Sequence, residues 1–571
     1  MGLNYSRLFS VLYNAQLRVG RVQTPTLAMI VAREEKISGF VKEPFYVVGI
    51  TGSDTSNGIN GSKNGNTESG NFTAEREKIK DKAAADTIRA DCEGKTAVVK
   101  SVQRQEKSAS APKLYDLTTL QREANRLFGY TATQTLNAVQ NLYEQKITTY
   151  PRTDSRFITE DMVEGVPALV QSSIELLSLP VLIHVLTKQI VNNSKVTDHH
   201  AIIPTAEIAK FDISALPTTE RNILMMICTR LVFAVTEKHI YSETIVTLDC
   251  GGEIFTAKGK IITQIGWKEI EQAFLGSIGK NKKDKDEDKS LPELSEGQEF
   301  IANASVREGF SQPPKHYNED ALLASMETAG AEDMPDDAER KGLGTPATRA
   351  AIIEGLVKSG LVVRKDKNIL PTEKGVNLIR VLPDSVKSPM LTAEWENALK
   401  QIERGEISAD DYIFSINRYV ADIVKSHNTV PDQLKVLFPA TSPQGGKAGE
   451  VIGKCPRCAG NVAETPKAFS CENTRKNSGF QTCKERTSDM KCGFALFKDN
   501  RFFTTKKKAI TKDVAIALLN EGRIFISGLH SEKTGNAYNA TIILDDKGEG
   551  YPSFKMEFES KGKGAEAKSN G

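Results

Sequence analysis

No stretch of this sequence reaches the roughly eighteen consecutive apolar residues that a membrane helix needs. The longest candidate, around Leu177 to Leu186, is broken by Pro180 and His184. The N-terminus lacks the charged-then-apolar profile of a signal peptide. The formal myristoylation match of Met1-Gly2-Leu3-Asn4-Tyr5-Ser6 is too short and too common to carry weight. An excess of one charge is missing as well. With 75 Lys and Arg against 73 Asp and Glu, the net charge is +2. That excludes a protein that grips nucleic acid by bulk charge and requires any polyanion site to be local. Cysteine is sparse along most of the 571 residues: Cys92, Cys228 and Cys250 stand alone and read as single buried thiols. The other five, Cys455, Cys458, Cys471, Cys483 and Cys492, crowd one short stretch. Without a secretion signal, that crowding reads as metal binding in a reducing cytoplasm, not as disulfides.

What remains is an ordinary composition, 39% hydrophobic and 26% charged, and a length that suggests roughly three to five domains. Residues 1–36 read as a helical opening. Phe45-Tyr46-Val47-Val48 and Val98 to Val102 are strand signals, and Thr51 to Asn71 between them, dense in Gly, Asn and Ser, reads as a long flexible loop. Lys280 to Lys289 reads as a solvated charged insertion, Ala440 to Gly449 as an interdomain linker, and the tail from Lys561 as disordered. Two segments share one pattern. In the first, Asp116 caps a helix with Leu117, Leu120, Ala124 and Leu127 on one face, and Gly129 closes it. A second helix leads to the β-prone stub Ile147-Thr148-Thr149-Tyr150. In the second segment, Thr345 is the N-cap, Pro346 the first helical residue and Gly360 the stop, before a hairpin of Leu361-Val362-Val363 and Asn368-Ile369-Leu370. Both read as winged-helix-like units, which favour nucleic acid but also serve as scaffolding.

The sharpest chemical feature is Tyr150-Pro151-Arg152-Thr153-Asp154-Ser155-Arg156. A tyrosine nucleophile needs nearby positive charge to favour phenolate, and Arg152 and Arg156 offer it while also suiting a phosphodiester's oxygens. Thr153 and Ser155 add hydroxyl donors. The bland alternative is a polar turn in which Asp154 pairs with a neighbouring Arg. In the Cys cluster, Cys455, Cys458, Cys471 and Cys492 give four thiolates, enough for one tetrahedral zinc, with Cys483 as a rival ligand inside the insertion Lys476 to Lys491. Phe494, Phe497, Lys498, Arg501, Phe502 and Phe503 follow, suited equally to stacking single-stranded bases or to the core of a small ribbon.

Tyr150 to Ser155, led in by Ile147-Thr148-Thr149, resembles the active-site signature of the type IA DNA topoisomerases. Gly20-Arg21-Val22-Gln23-Thr24-Pro25 resembles a second family element, Pro112 to Gln121 a third, and His199-His200-Ala201-Ile202-Ile203-Pro204-Thr205 a fourth. Gln312-Pro313-Pro314 with Tyr317, and Gly344 to Arg349, match two more. The wording is closest to the topoisomerase III branch. The resemblance implies that Tyr150 attacks one DNA strand to form a 5′-phosphotyrosyl bond, without ATP. It implies that Arg152 stabilises the scissile phosphate and His199 bonds near it, and that Arg7, Arg21, Gln23, Thr24, Thr153, Asp154 and Ser155 contact the single strand.

The implied fold is multidomain, mixed α and β, with a toroidal core. A helical DNA-binding domain would comprise residues 1–36 plus 311–440, a β-rich arch 37–110 plus 241–310, and the winged-helix-like tyrosine domain 111–240. A zinc ribbon, 441–495, a small α/β domain, 496–560, and a tail, 561–571, would follow. The family's Mg2+ site lies in an N-terminal Toprim domain with a Glu and a D-x-D pair, for which this sequence offers only the D-x-D strings within Asp284 to Asp288. The expectation is therefore a fragment, or half of a split enzyme, that binds single-stranded DNA but relaxes supercoils poorly unaided. A separate Toprim chain and a helicase are the expected partners, and a bacterial cytoplasmic, nucleoid-associated location is expected. The alternative is a non-catalytic single-stranded DNA-binding module.

Overall fold

The computed structural model describes residues 1–53, 71–181, 183–280, 291–330, 342–427, 429–438, 450–474, 492–532, 534–548 and 551–558. Cys483, Asp284 to Asp288, the interdomain linker and the tail lie outside them, as does most of the Gly/Asn/Ser-rich loop. The chain separates into two compact units, Met1–Pro439 and Ala440–Gly571. Among the described residues no helix is long and apolar enough to cross a membrane.

In the first unit a helical core joins residues far apart in sequence. Helices Gly2–Leu12 and Gln23–Ser38 contribute Tyr5, Phe9, Leu27 and Ile30, which pack with Leu322, Met326, Ile353, Leu356 and Leu378. Helix Pro346–Lys358 starts at Thr345, whose N–H donates to Thr348 Oγ1 (3.0 Å), with proline in the first turn where no N–H is needed. The hairpin Val362–Lys365 and Asn368–Pro371 follows, turning at Asp366 in the left-handed region (φ +54°), which Asp tolerates.

A seven-stranded antiparallel sheet runs in the order Glu299–Ile301, Thr96–Ala109, His239–Cys250, Glu253–Gln264, Asn71–Glu75, Pro44–Ser53, Asn303–Phe310. Both ends of the Gly/Asn/Ser-rich stretch thus belong to paired strands. Alternate residues, among them Val48, Ile50, Val99, Val246, Leu248 and Phe255, form its core with Ala85 and Cys92 of helix Lys82–Cys92.

The tyrosine-bearing segment is built on helices with local signals. Asp116 accepts from Thr119 N–H (2.6 Å), starting helix Leu117–Phe128, and Gly129 ends it at φ +74°. Thr131 and Gln134 form a capping box on helix Ala132–Glu144. The stub after it makes no hairpin of its own. Thr148 bridges Pro204, and Thr149 N–H donates to Ile203 O (3.0 Å), so the tyrosine motif pairs with the histidine motif.

The second unit has a four-stranded ribbon, Val451–Lys454, Asn461–Glu464, Ala468–Cys471 and Ala495–Phe497, and a three-stranded sheet, Arg523–His530, Ala537–Asp545 and Ser553–Glu557. The two share one core that includes Cys455, Phe469, Phe494, Phe503, Leu518, Leu529 and Ile542. Phe494 and Phe503 are therefore interior, Phe502 packs on Phe554 (5.5 Å between centroids), and Lys498 pairs with Glu464 (2.6 Å). Phe494 and Phe503 thus belong to the core, whereas Phe497 and Phe502 are half-buried and Arg501 is exposed.

Candidate active site and metal centre

Tyr150 is half-buried, at the end of the stub that Pro151 stops. Its ring lies 4.4 Å from the His199 ring, centroid to centroid, and 5.4 Å from that of Tyr143. Beside it opens a pocket of about 140 Å³ lined by Arg152, Thr153, Asp154, Asp198, His199, Thr345, Pro346 and Ala347. Three separate motifs converge there. Arg152, Asp154 and His199 are exposed to it, and the third wall is the start of helix Pro346–Lys358, whose dipole favours an anion even though Pro346 has no N–H and the Thr348 N–H bonds Thr345 O (2.9 Å). A cationic side chain, an imidazole and a helix N-terminus around a tyrosine suit a phosphodiester.

Thr153 and Ser155 hold this arrangement from within. Both are buried; Thr153 Oγ1 donates to His199 O (2.9 Å) and accepts from Ser155 N–H (3.0 Å), and Ser155 Oγ donates to Lys195 O (2.8 Å). Their hydroxyls are committed to backbone partners, so they position the loop. Arg156 is likewise committed, to Asp116 and to Glu327 (3.5 Å), leaving Arg152 as the guanidinium of the motif that faces the pocket. Arg7, Arg21, Gln23 and Thr24 are not in the pocket wall. Arg7 is exposed on helix Gly2–Leu12, and Arg21 makes an exposed pair with Glu396 (2.8 Å), a contact weak enough to yield to a ligand. Gln23 opens helix Gln23–Ser38, and buried Thr24 accepts from Gly20 N–H (3.0 Å), fixing the turn before that helix.

Sequence reasoning assigned Asp198 no role, yet it lines the pocket. It also passed over the buried polar ties behind it. Arg349, 3% exposed, donates to Thr118 Oγ1 (2.9 Å) and Leu343 O (3.3 Å), joining the third wall to the helix that leads into the tyrosine segment. Burial holds its guanidinium below its ordinary pKa. Tyr115, Glu123 and Arg230 form a second buried network. The Tyr115 hydroxyl and Arg230 both donate to Glu123, while Arg230 also donates to Lys113 O (3.0 Å) and stacks 4.0 Å over the Tyr115 ring. Burial pushes the Tyr115 hydroxyl far up. For Glu123 burial also acts upward, but Arg230, Tyr115 and Arg126 together hold the carboxyl below its usual range. The only signals for these ties were apolar-looking positions occupied by polar residues.

In the second unit, Cys455, Cys458, Cys471 and Cys492 bring four sulfurs within 4.8 Å of one another, with Cys458 exposed and the rest buried. The donor set suits a tetrahedral metal ion. The knuckle is tight: a Cβ on Gly460 would stand 3.3 Å from the Cys471 sulfur and 3.4 Å from that of Cys458. The Asn473 amide and the Gly460 N–H pull the Cys458 thiol down to about 6, whereas burial pushes Cys471 up. Arg457, between the first two ligands, grips Asp546 with two nitrogens (Nε to its oxygens at 2.9 and 2.8 Å), tying the knuckle to the end of strand Ala537–Asp545. Among the described residues this is the one cluster able to hold a metal ion; no carboxylate group of that kind accompanies the tyrosine pocket.

Comparison with known proteins agrees with this geometry. A profile of a family described as DNA topoisomerase matches residues 1–413. DNA topoisomerase 3 of Bacillus subtilis is 37% identical over 448 residues, covering 74% of this chain and 58% of the relative. DNA topoisomerase 3 of Bacillus cereus is 34% identical over 515 residues, covering 86% of this chain and 66% of the relative. The chain thus spans about three-fifths to two-thirds of these relatives' length. Full-length topoisomerase I from Thermotoga maritima shares the fold, with a TM-score of 0.55 at 21% identity over 75% of this chain and 67% of that one. The chain belongs to the type IA DNA topoisomerase family.

Proposed function

We propose that this chain carries the cleavage half of an ATP-independent strand-passage reaction on DNA in the bacterial cytoplasm. The Tyr150 oxygen attacks a phosphodiester of one strand; its bond to phosphorus forms as the bond to the 3′ oxygen breaks, and the phenol proton passes to that oxygen. A second strand crosses the gap, and the reverse reaction restores the phosphodiester and the phenol. Arg152 neutralises charge on the non-bridging oxygens, His199 bonds the same phosphate, and the start of helix Pro346–Lys358 adds its dipole. The observation that carries this reading is the Tyr150 ring against His199 at a pocket that Arg152 lines. The Cys cluster is proposed as a zinc site that folds the second unit.

The family's Mg2+ would assist departure of the 3′ oxygen. Asp154 and Asp198 line the pocket, but among the described residues no group of three or more potential metal ligands gathers there. We infer that these 571 residues bind single-stranded DNA but relax supercoils weakly unless a magnesium-binding Toprim polypeptide is added. The test is a denaturing gel for covalent protein–DNA adducts, with and without that polypeptide. Adducts that disappear in Tyr150→Phe support the reading. Absence of adducts even with the Toprim polypeptide overturns it, and robust magnesium-dependent relaxation by the chain alone overturns the inferred dependence.

A further inference from the structure

Beside the tyrosine pocket three segments run side by side. Tyr115 bridges Ile202, Leu117 N–H donates to Thr153 O (3.1 Å), Ala201 N–H donates to Phe157 O (2.9 Å), and Ser155 Oγ donates to Lys195 O. The middle segment leads outward from Arg152 to Phe157, about 16 Å if extended. At Phe157 the flanking segments each send one exposed lysine to the same ring. Lys113 Nζ lies 4.5 Å and Lys195 Nζ 5.5 Å from its centroid.

A single ammonium on an aromatic face is weakly attracted to it, but a second one brought to the same ring adds like-charge repulsion. Neither lysine has a carboxylate within ion-pair distance among the described residues. Both backbones are fixed: Lys113 O is held by buried Arg230, and Lys195 O by buried Ser155. Two ammoniums on anchored segments, at the end of a loop that begins at Arg152 in the pocket, form a seat for an anion.

We propose that Lys113 and Lys195, spread over Phe157, hold the phosphodiester backbone of a single DNA strand where it leaves the tyrosine pocket. This rests on reading that pocket as a site for single-stranded DNA. The contact is to phosphate, so it fixes the strand's path without selecting sequence.

The test is fluorescence anisotropy of a labelled oligothymidylate, titrated with the full chain across a range of salt concentrations. Each phosphate contact to a single strand contributes about 0.7 to the slope of log affinity against log salt. Lys113→Gln/Lys195→Gln should therefore lower the slope by about 1.4 and weaken binding about 25-fold near 0.1 M salt. Lys113→Arg/Lys195→Arg should keep wild-type affinity and slope. Lys188→Gln/Lys210→Gln removes the same charge from exposed positions elsewhere in the same region and should change binding less than about twofold. An unchanged slope in the first variant, or an equal loss in the Lys188/Lys210 variant, overturns the proposal while leaving the pocket reading intact. Failure of the wild-type chain to bind the oligonucleotide overturns both.

Discussion

Replacing Arg230 by Met tests whether the buried network behind the tyrosine segment holds that part of the fold together. The guanidinium is 4% exposed and serves Glu123 and Lys113 O at once. Without it, Glu123 keeps the Tyr115 hydroxyl and Arg126 (2.7 Å), and its side chain is itself 20% exposed. Breaking a buried pair costs about 3–5 kcal/mol, and these remaining contacts place the loss near 3 kcal/mol. Lys113 O losing its donor adds about 1 kcal/mol, for a total near 4 kcal/mol. Removing both charges with Arg230→Met/Glu123→Leu leaves the Tyr115 hydroxyl unpaired, at about 1–2 kcal/mol, and Lys113 O still without its donor, at about 1 kcal/mol. The double variant should thus be more stable than the single one by about 1–2 kcal/mol. Trp267 reports the right region, because it packs 5.8 Å from Phe233 at the end of helix Thr218–Ala234, and a Trp395→Phe background leaves it as the sole tryptophan. Urea unfolding followed by Trp267 emission isolates this transition in a chain that need not unfold in one step. A cost below about 1 kcal/mol for Arg230→Met, or a double variant no better than the single, would refute the reasoning.

Two further outcomes follow from the same geometry. Because Glu123 is held below its ordinary value in the fold, its contribution to stability is complete above the unfolded carboxylate pKa of about 4.3 and is lost as pH falls through the folded value. Glu123→Gln should flatten the acid limb of the Trp267 transition below about pH 4, and an unchanged limb would exclude Glu123 as its source. Metal removal should act on the second unit alone. Three of the four Cys lie in the core that also holds Leu529 and Ile542, so a zinc chelator should raise hydrogen exchange across both its ribbon and its three-stranded sheet. Protection in residues 1–438 should stay the same, with about one zinc released per chain; unchanged protection in the sheet would contradict the shared core.

The parts of the fold that could be read from sequence are those whose physics is local. Asp116, Gly129, Thr345 with Pro346, and the Val362–Pro371 hairpin all stand where short-range capping and turn rules put them. From local residue patterns alone the sheet was legible only as isolated strands. Its order places Asn71–Glu75 between Pro44–Ser53 and Glu253–Gln264, a pairing between strands nearly two hundred positions apart that no local pattern encodes. The stub at Tyr150 shows the same limit: its β-propensity was visible, but its partner, the histidine motif, lies some fifty residues on.

Arg152 and Arg156 show why the site was only half readable. Both are cations four residues apart around one tyrosine, and charge alone gives them the same job. The fold separates them, because Arg156 meets Asp116 and Glu327 while Arg152 meets neither and stays exposed to the pocket. An ion pair with a largely buried carboxylate such as Asp116, whose side chain is 5% exposed, resists exchange for a ligand phosphate, since leaving that charge unpaired costs several kcal/mol. The exposed Arg21–Glu396 pair, at 39% and 42% exposure, carries almost no such penalty. Burial of the partner, not the identity of the arginine, therefore separates a guanidinium that can take a phosphate from one that braces the loop. By that criterion the Arg152 and Arg21 guanidiniums are free to take a phosphate, and Arg156 and Arg230 are framework.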